Sequence, residues 1–246
     1  MTGRAWVTLG GLRRSSHQLF LFPCAGGGVG SVAPLARELS KEFAVSALRL
    51  PGRENRFAEP PVTDLEEAVD TIAAELEPML DRRPTILFGH SFGALLAYLV
   101  LHRLGQPGSV QILAVAGRQA PHLPTDGALL QDLSDPALLA ALYEAGGLSA
   151  EIGREETADL LSPLRADMAL DEQHAHDPRL PAVRSILFAL SGSRDPWAAT
   201  GAVDAWRKWA AGGFTHLRSD AGHFFPASHA DVIRRRLAAL RDGFED

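Results

Sequence analysis

The sequence predicts an α/β fold: a mostly parallel central sheet with helices on both faces and one helical insertion. Three observations predict it. Short apolar runs alternate with longer helical stretches along the chain. A Gly-x-Ser-x-Gly turn, residues 89–93, joins one such run directly to a helical stretch. The stretch from about 124 to 180 has no strand signal, which sets it apart from the alternation around it.

Taken in order, the expected strands fall at 18–22, 43–49, 85–88, 110–116, 185–190 and 214–218, each short, apolar and rich in β-formers. The helices between them are expected near 31–40, 64–80, 92–104, 200–210 and 228–241. Thr63-x-x-Glu66 has the form of a capping box for the second of these. Within 124–180, Ala128 to Leu133 and Pro136 to Leu142 read as short amphipathic helices, and Gly146-Gly147 separates them from Arg154 to Leu164. No repeat or low-complexity linker interrupts the chain, so residues 1–246 are read as one domain with an insertion at about 124–180.

Composition agrees. Hydrophobic residues make up 46%, and mean hydropathy is −0.01, as in an ordinary globule with a sizeable core. One cysteine excludes a disulfide framework and suits a reducing cytoplasm, the expected location. No apolar run approaches membrane-spanning length. Arg13-Arg14 has the look of a twin-arginine signal, but the apolar run behind it, Leu19 to Phe22, is needed as a strand and no cleavage site follows. A net charge of −6 argues against nucleic acid.

The chemistry is read from Gly89-His90-Ser91-Phe92-Gly93. Thr85 to Phe88 before it suits a buried strand, and Phe92 to His102 after it suits a helix. That context makes the turn a nucleophile elbow, with Ser91 held in strained backbone at the sheet's edge. A serine hydroxyl needs a base to take its proton and a third group to orient that base. In this architecture the acid and then the histidine follow the serine in the chain. Among the histidines weighed, His17, His102 and His122 come too early or sit on the serine's own helix. His90 leaves the turn in another direction, His174 and His176 lie in a charged, solvent-facing stretch, and His216 belongs to the last strand. His223, in a Gly-led loop after that strand, is the candidate base. Asp195, in the loop after the strand at 185–190, is the candidate acid. Asp177, its competitor, precedes that strand instead of following it.

The oxyanion formed on a substrate carbonyl needs two preorganised N–H donors. Phe92 is the first. The second is expected from the loop Pro23-Cys24-Ala25-Gly26-Gly27-Gly28 after the first strand. A P-loop is rejected, because no Lys-Ser/Thr follows, and a dinucleotide fingerprint fails on spacing.

Pro23-Cys24-Ala25-Gly26-Gly27, Leu50-Pro51-Gly52-Arg53-Glu54 with Arg56 and Glu59-Pro60, the elbow, Pro163-Leu164-Arg165-Ala166-Asp167 and Gly222-His223-Phe224-Phe225 occur in that order. Together they resemble a type II thioesterase, the free-standing α/β-hydrolase that accompanies modular polyketide synthases and non-ribosomal peptide synthetases. The resemblance implies hydrolysis of acyl groups from the phosphopantetheine thiol of carrier domains, clearing stalled or wrong units. It implies Ser91, Asp195 and His223 as triad, Ala25 and Phe92 as oxyanion donors, and the insertion as a lid. It implies no cofactor or metal, since the phosphopantetheine belongs to the substrate. Carrier domains are the expected partners, with no nucleic acid or membrane, and the expected working unit is a monomer. Cys24 stands where the family usually has His, and Met168, His174 and His176 where it has an aromatic and then tyrosines. These departures bear on acyl preference and lid packing. Cys24 is read as a small residue packed beneath its loop, not as a nucleophile. Carrier domains are acidic as a class, so docking calls for a basic patch. Arg234-Arg235-Arg236 offers one, although a solvated helix face is the simpler reading. The rival functions are a general carboxylesterase or acyl-CoA thioesterase, and a catalytically silent partner of a synthase.

Overall fold

The computed structural model describes residues 5–11, 15–123, 130–148 and 154–243. Arg13-Arg14, Ala128 and Leu129, read in the sequence analysis, lie outside the described residues. Seven strands form one sheet: β1 (Trp6–Gly10), β2 (Gln18–Phe22), β3 (Ala44–Leu48), β4 (Thr85–His90), β5 (Val110–Ala116), β6 (Ile186–Gly192) and β7 (Phe214–Ser219). Their spatial order is β1-β3-β2-β4-β5-β6-β7, and all pairs are parallel except β1 with β3. The six expected strands are present within two residues of the expected ends, and β1 is an addition. It is an antiparallel edge strand, anchored by Trp6, whose ring stands edge-on to Phe20 and Phe22 at 5.1 and 5.2 Å.

Helices cover both faces. Helices α1 (Val29–Leu39), α2 (Leu65–Leu76), α3 (Phe92–Arg103), α4 (Asp135–Glu144), α5 (Arg154–Glu172), α6 (Thr200–Asp204), α7 (Phe225–Ser228) and α8 (Ala230–Asp242) follow in chain order. Val32, Leu35 and Leu39 of α1 and Ile233 and Leu237 of α8 bury against one face, where Leu19, Val45, Ile86 and Phe188 point. Leu65 to Leu76 of α2, nearly all of α3, and Val203 and Trp206 cover the other, over Phe20, Leu48, Leu87 and Leu113. Apolar side chains from alternate strand positions thus face opposite helical layers.

Three local expectations are corrected. The cap of α2 is Asp64, whose carboxylate accepts the Glu67 N–H at 2.8 Å; the Thr63 box is displaced by one residue. Thr63 instead offers its carbonyl to the Gln173 amide, which also accepts the Leu65 N–H. The helix read as ending at Leu164 continues to Glu172 with Pro163 inside it. Leu164, Asp167, Met168 and Asp171 recur at helical spacing on its inner face, and their tertiary partners outweigh the break that proline suggests. Finally, Ala128–Leu133 yields a single turn of 3₁₀ helix, Leu130–Asp132, among its described residues.

The chain runs from β2 through β3 at one side and then crosses to β4 at the other, so β2 and β4 flank a topological switch point. Ligand sites of open α/β sheets lie at the carboxyl ends of such strands. Here those ends carry the glycine-rich loop and Ser91. The two glycines of the elbow are needed for closeness. A Cβ on Gly93 would overlap the Phe22 and Pro23 carbonyl oxygens, and one on Gly89 would overlap the backbone of Gly93 and Ala94. Gly93→Ala is therefore expected to destabilise the protein by about 3 kcal/mol or more. Urea denaturation checks this, and an unchanged midpoint would contradict the packing described.

Candidate active site

Strand β4 delivers Ser91 into the first turn of α3 with φ 54° and ψ −121°, a conformation that a side chain rarely adopts. Hydrogen bonding holds it there: the Ser91 N–H donates to the Ala116 carbonyl of β5 at 2.8 Å. Phe92 opens α3, and its N–H belongs to the first turn, which has no intrahelical acceptor. That N–H is free to serve a ligand.

The loops after β6 and β7 bring Asp195 and His223 together. His223 Nδ1–H donates to Asp195 Oδ2 at 2.8 Å, and both side chains are buried. The other carboxylate oxygen, Oδ1, accepts the backbone N–H groups of Trp197 at 2.9 Å and Ala198 at 3.0 Å. A carboxylate only accepts, so this side of the imidazole carries the proton and Nε2 is left as a base. Rings on either side limit its motion: Trp197 stands edge-on to His223 at 4.7 Å and Phe224 at 5.1 Å. Ser91, His223, Ala25 and Phe92 line one cavity of about 360 Å³. Asp195 lies behind His223, and all five expected site residues are thus brought to one place.

The rejected candidates fall elsewhere. Asp177 sits in an outer turn, and its pairing with Arg179 holds its carboxyl down at about 2. His216 bonds to Ser191 Oγ and to Asp204, each at 2.9 Å. His174 and His176 are half-buried, not solvent-facing; the His176 ring packs edge-on against Trp209 at 4.5 Å. Burial pushes the Cys24 thiol up to about 12, and the neighbouring Asp167 charge adds to this, so at neutral pH it is a thiol and no nucleophile. It is half-buried and lines the cavity, closer to a wall than to a residue hidden beneath the loop. Arg234 pairs with Glu38 and Glu42, and Arg235 with Asp231, as on a solvated helix face.

Sequence reasoning passed over several supporting residues. His90 turns behind the site and donates its Nε2–H to the His223 carbonyl at 2.9 Å. Burial, then the neighbouring His223, pushes its imidazole down from 6.5 to about 3. The folded value lies below the ordinary one, so His90 costs nothing above pH 6.5 and destabilises the fold as pH falls from there toward 3. Arg53 and Asp167 form the second missed device. Nη1 of Arg53 meets Asp167 Oδ2 at 2.7 Å and Nη2 meets Oδ1 at 2.8 Å. The same Oδ2 accepts the Gly26 N–H at 2.8 Å, and Arg53 Nη1 also reaches the Gly27 carbonyl at 2.9 Å. The loop that presents Ala25 is thereby tied to α5. The sequence does carry a signal for them: both residues sit in the Pro-Gly-Arg-Glu and Arg-Ala-Asp segments, which a bare hydrolase does not require.

Comparisons with known proteins place this geometry. The profile of the family described as Thioesterase domain matches residues 17–240, and the chain belongs to that family. It is a hydrolase of thioesters on the α/β-hydrolase fold. RedJ, a thioesterase from the prodiginine biosynthetic pathway in Streptomyces coelicolor, superposes with a TM-score of 0.83 at 35% identity, covering 92% of this chain and 86% of RedJ. The type II thioesterase BorB from the borrelidin biosynthetic cluster gives a TM-score of 0.86 at 30% identity and 98% coverage of both chains. A curated relative named linear gramicidin dehydrogenase LgrE, from Brevibacillus parabrevis, is 34% identical over 222 residues, 87% of this chain and 84% of that protein. The dehydrogenase name finds no counterpart in this chain's glycine spacing.

Asp195 and its competitor Asp177 make the sharpest test of the site. Asp195→Asn is expected to lower kcat by about 10⁴-fold, because the imidazole loses its orienting charge. Asp177→Asn is expected to be silent. Steady-state kinetics of the pair decides, and the opposite pattern would contradict the assignment.

Proposed function

We propose that this chain is a type II thioesterase that removes acyl groups from the phosphopantetheine arm of carrier domains in polyketide or non-ribosomal peptide assembly, with Ser91, His223 and Asp195 as its triad. The observation that carries the reading is the buried Asp195–His223 pair, whose imidazole shares one cavity with strained Ser91. His223 Nε2 takes the Ser91 proton as Oγ attacks the thioester carbonyl. Ala25 and Phe92 N–H groups hold the oxyanion, and Asp195 steadies the imidazolium. The thiolate leaves with that proton, and water repeats the attack on the acyl-enzyme.

The surroundings support a carrier-borne substrate. A second cavity of about 680 Å³ abuts the first at Cys24, Ala25, Leu142, Leu164 and Phe224. It runs beneath α5 toward Phe57, a residue 64% exposed, and offers a slot for a long, flexible arm. Helices α4 and α5 form the lid over both, with Leu138, Leu142 and Leu164 packed against Trp197 and Phe224. RedJ and BorB, described as enzymes of biosynthetic pathways, point the same way.

Ser91→Ala is expected to lower kcat by about 10⁴-fold or more and to abolish the acyl adduct seen by intact-mass spectrometry. In wild type, kcat/KM on acetyl and propionyl groups is expected to be higher on a carrier domain than on coenzyme A, because remote contacts with the carrier lower the barrier. Equal values on both carriers, or faster cleavage of soluble oxyesters, would favour a general esterase instead.

A further inference from the structure

Two ion pairs radiate from the inner face of α5, and they differ in kind. Asp167 is gripped by Arg53 through both oxygens, with side chains 3% and 6% exposed. One turn later Asp171 meets Arg118 through a single contact, Nη1 to Oδ2 at 2.6 Å, with side chains 28% and 15% exposed. The remaining oxygen, Asp171 Oδ1, is buried and has no hydrogen-bond partner among the described residues. Arg118 lies just beyond the C-terminal end of β5, beside the site, and its backbone is fixed by the Trp206 indole N–H, which donates to the Arg118 carbonyl at 2.9 Å.

This second pair stands at a boundary. Arg118, Gln119, Asp171 and Glu172 line the catalytic cavity of about 360 Å³, and the same four line a neighbouring cavity of about 590 Å³. Ser91 and His223 open only into the first. His122, His174 and His176 line only the second. The walls near the serine are apolar, with Leu138, Leu142, Leu164 and Met168. An acyl chain bound to Ser91 and following those walls thus ends against a charged partition.

We propose that the Arg118–Asp171 pair is an acyl-length ruler: it closes the far wall of the catalytic cavity and disfavours acyl groups long enough to reach the cavity beyond. The inference rests on the thioesterase reading above. A longer chain must part the pair, leaving an unpaired guanidinium and carboxylate beside hydrocarbon, which is costly in a half-buried setting. Because the pair is held by one contact and not by a fork, the barrier is graded. Long chains are slowed, not excluded.

The test is a chain-length series of acyl thioesters, acetyl, butyryl, hexanoyl, octanoyl and decanoyl, on one carrier domain. Wild type is compared with the doubles Arg118→Ala/Asp171→Ala and Arg118→Met/Asp171→Leu. The double substitutions avoid stranding one charge. Folding is checked by thermal melting and by labelling of Ser91 with a fluorophosphonate. In wild type kcat/KM is expected to fall along the series. In the alanine double the ratio of decanoyl to acetyl kcat/KM is expected to rise by about tenfold or more, the scale on which one methylene is discriminated in an apolar pocket. The Met/Leu double, which keeps the bulk but has no charge to strand, is expected to raise that ratio too, by several-fold. An alanine double with the wild-type profile overturns the ruler, as does a Met/Leu double with the wild-type profile, because bulk and not the charged pair would then set the length. The wild-type series needs no variant: equal kcat/KM on acetyl and decanoyl overturns it too. Absence of Ser91-dependent thioester hydrolysis at any length would instead overturn the underlying thioesterase reading.

Discussion

The contact on which the active site most depends is the buried fork between Arg53 and Asp167. It joins three segments that sequence keeps far apart: the loop after β3, the glycine-rich loop after β2, and α5. Two charges with side chains 6% and 3% exposed are expensive to desolvate, and a buried pair is a poor source of net stability. What it supplies is position. Asp167 has four lone-pair sites, and it uses them on two guanidinium N–H groups and on the Gly26 N–H. Gly26 has φ 70° and packs under Leu164, so the backbone beside Ala25 has little freedom left. An oxyanion donor is useful to the extent that it needs no reorganisation when charge develops. In the mechanism proposed above, the fork provides that rigidity from outside the proposed triad.

The other half of the site draws its rigidity from the sheet. Ser91 is strained, and its strain persists because β4 is paired on both sides and α3 is buried almost all round. The strain keeps the hydroxyl off the helix surface and puts the Phe92 N–H beside it. Asp195 and His223 are set by loops, but loops tied down by backbone donors and by the rings of Trp197 and Phe224. Gly147, just after α4, packs so tightly on Phe224 that a Cβ would overlap the ring. The segment after α4 and the loop that carries His223 are therefore mechanically linked.

Much of this was legible in the sequence because it is local. Strand, tight turn and helix around Ser91 announce themselves within 20 or so residues, and Asp195 and His223 follow from the order of strands. What was missed was either weakly patterned or long-range. Strand β1 is five residues at an edge, with only Trp6 buried, so its period is faint. Thr63 and Asp64 are both good caps, and nothing in the local pattern chooses between them. The persistence of α5 past Pro163 depends on Arg53, which is 114 residues from Asp167. His90 was visible in the elbow, but its bond to the His223 carbonyl spans 133 residues. The special segments were noticed as a resemblance, and only the fold shows what they are for.

That purpose is open to direct measurement. Replacing both partners, Arg53→Met with Asp167→Leu, removes the fork without stranding a charge, a change that is often neutral for stability. The account predicts a melting temperature within a few degrees of wild type and a kcat lower by about 10²-fold, with KM little changed, as for loss of one oxyanion donor. A double variant that melts like wild type and turns over like wild type would show that the fork merely fills space, and would contradict its role in presenting Ala25.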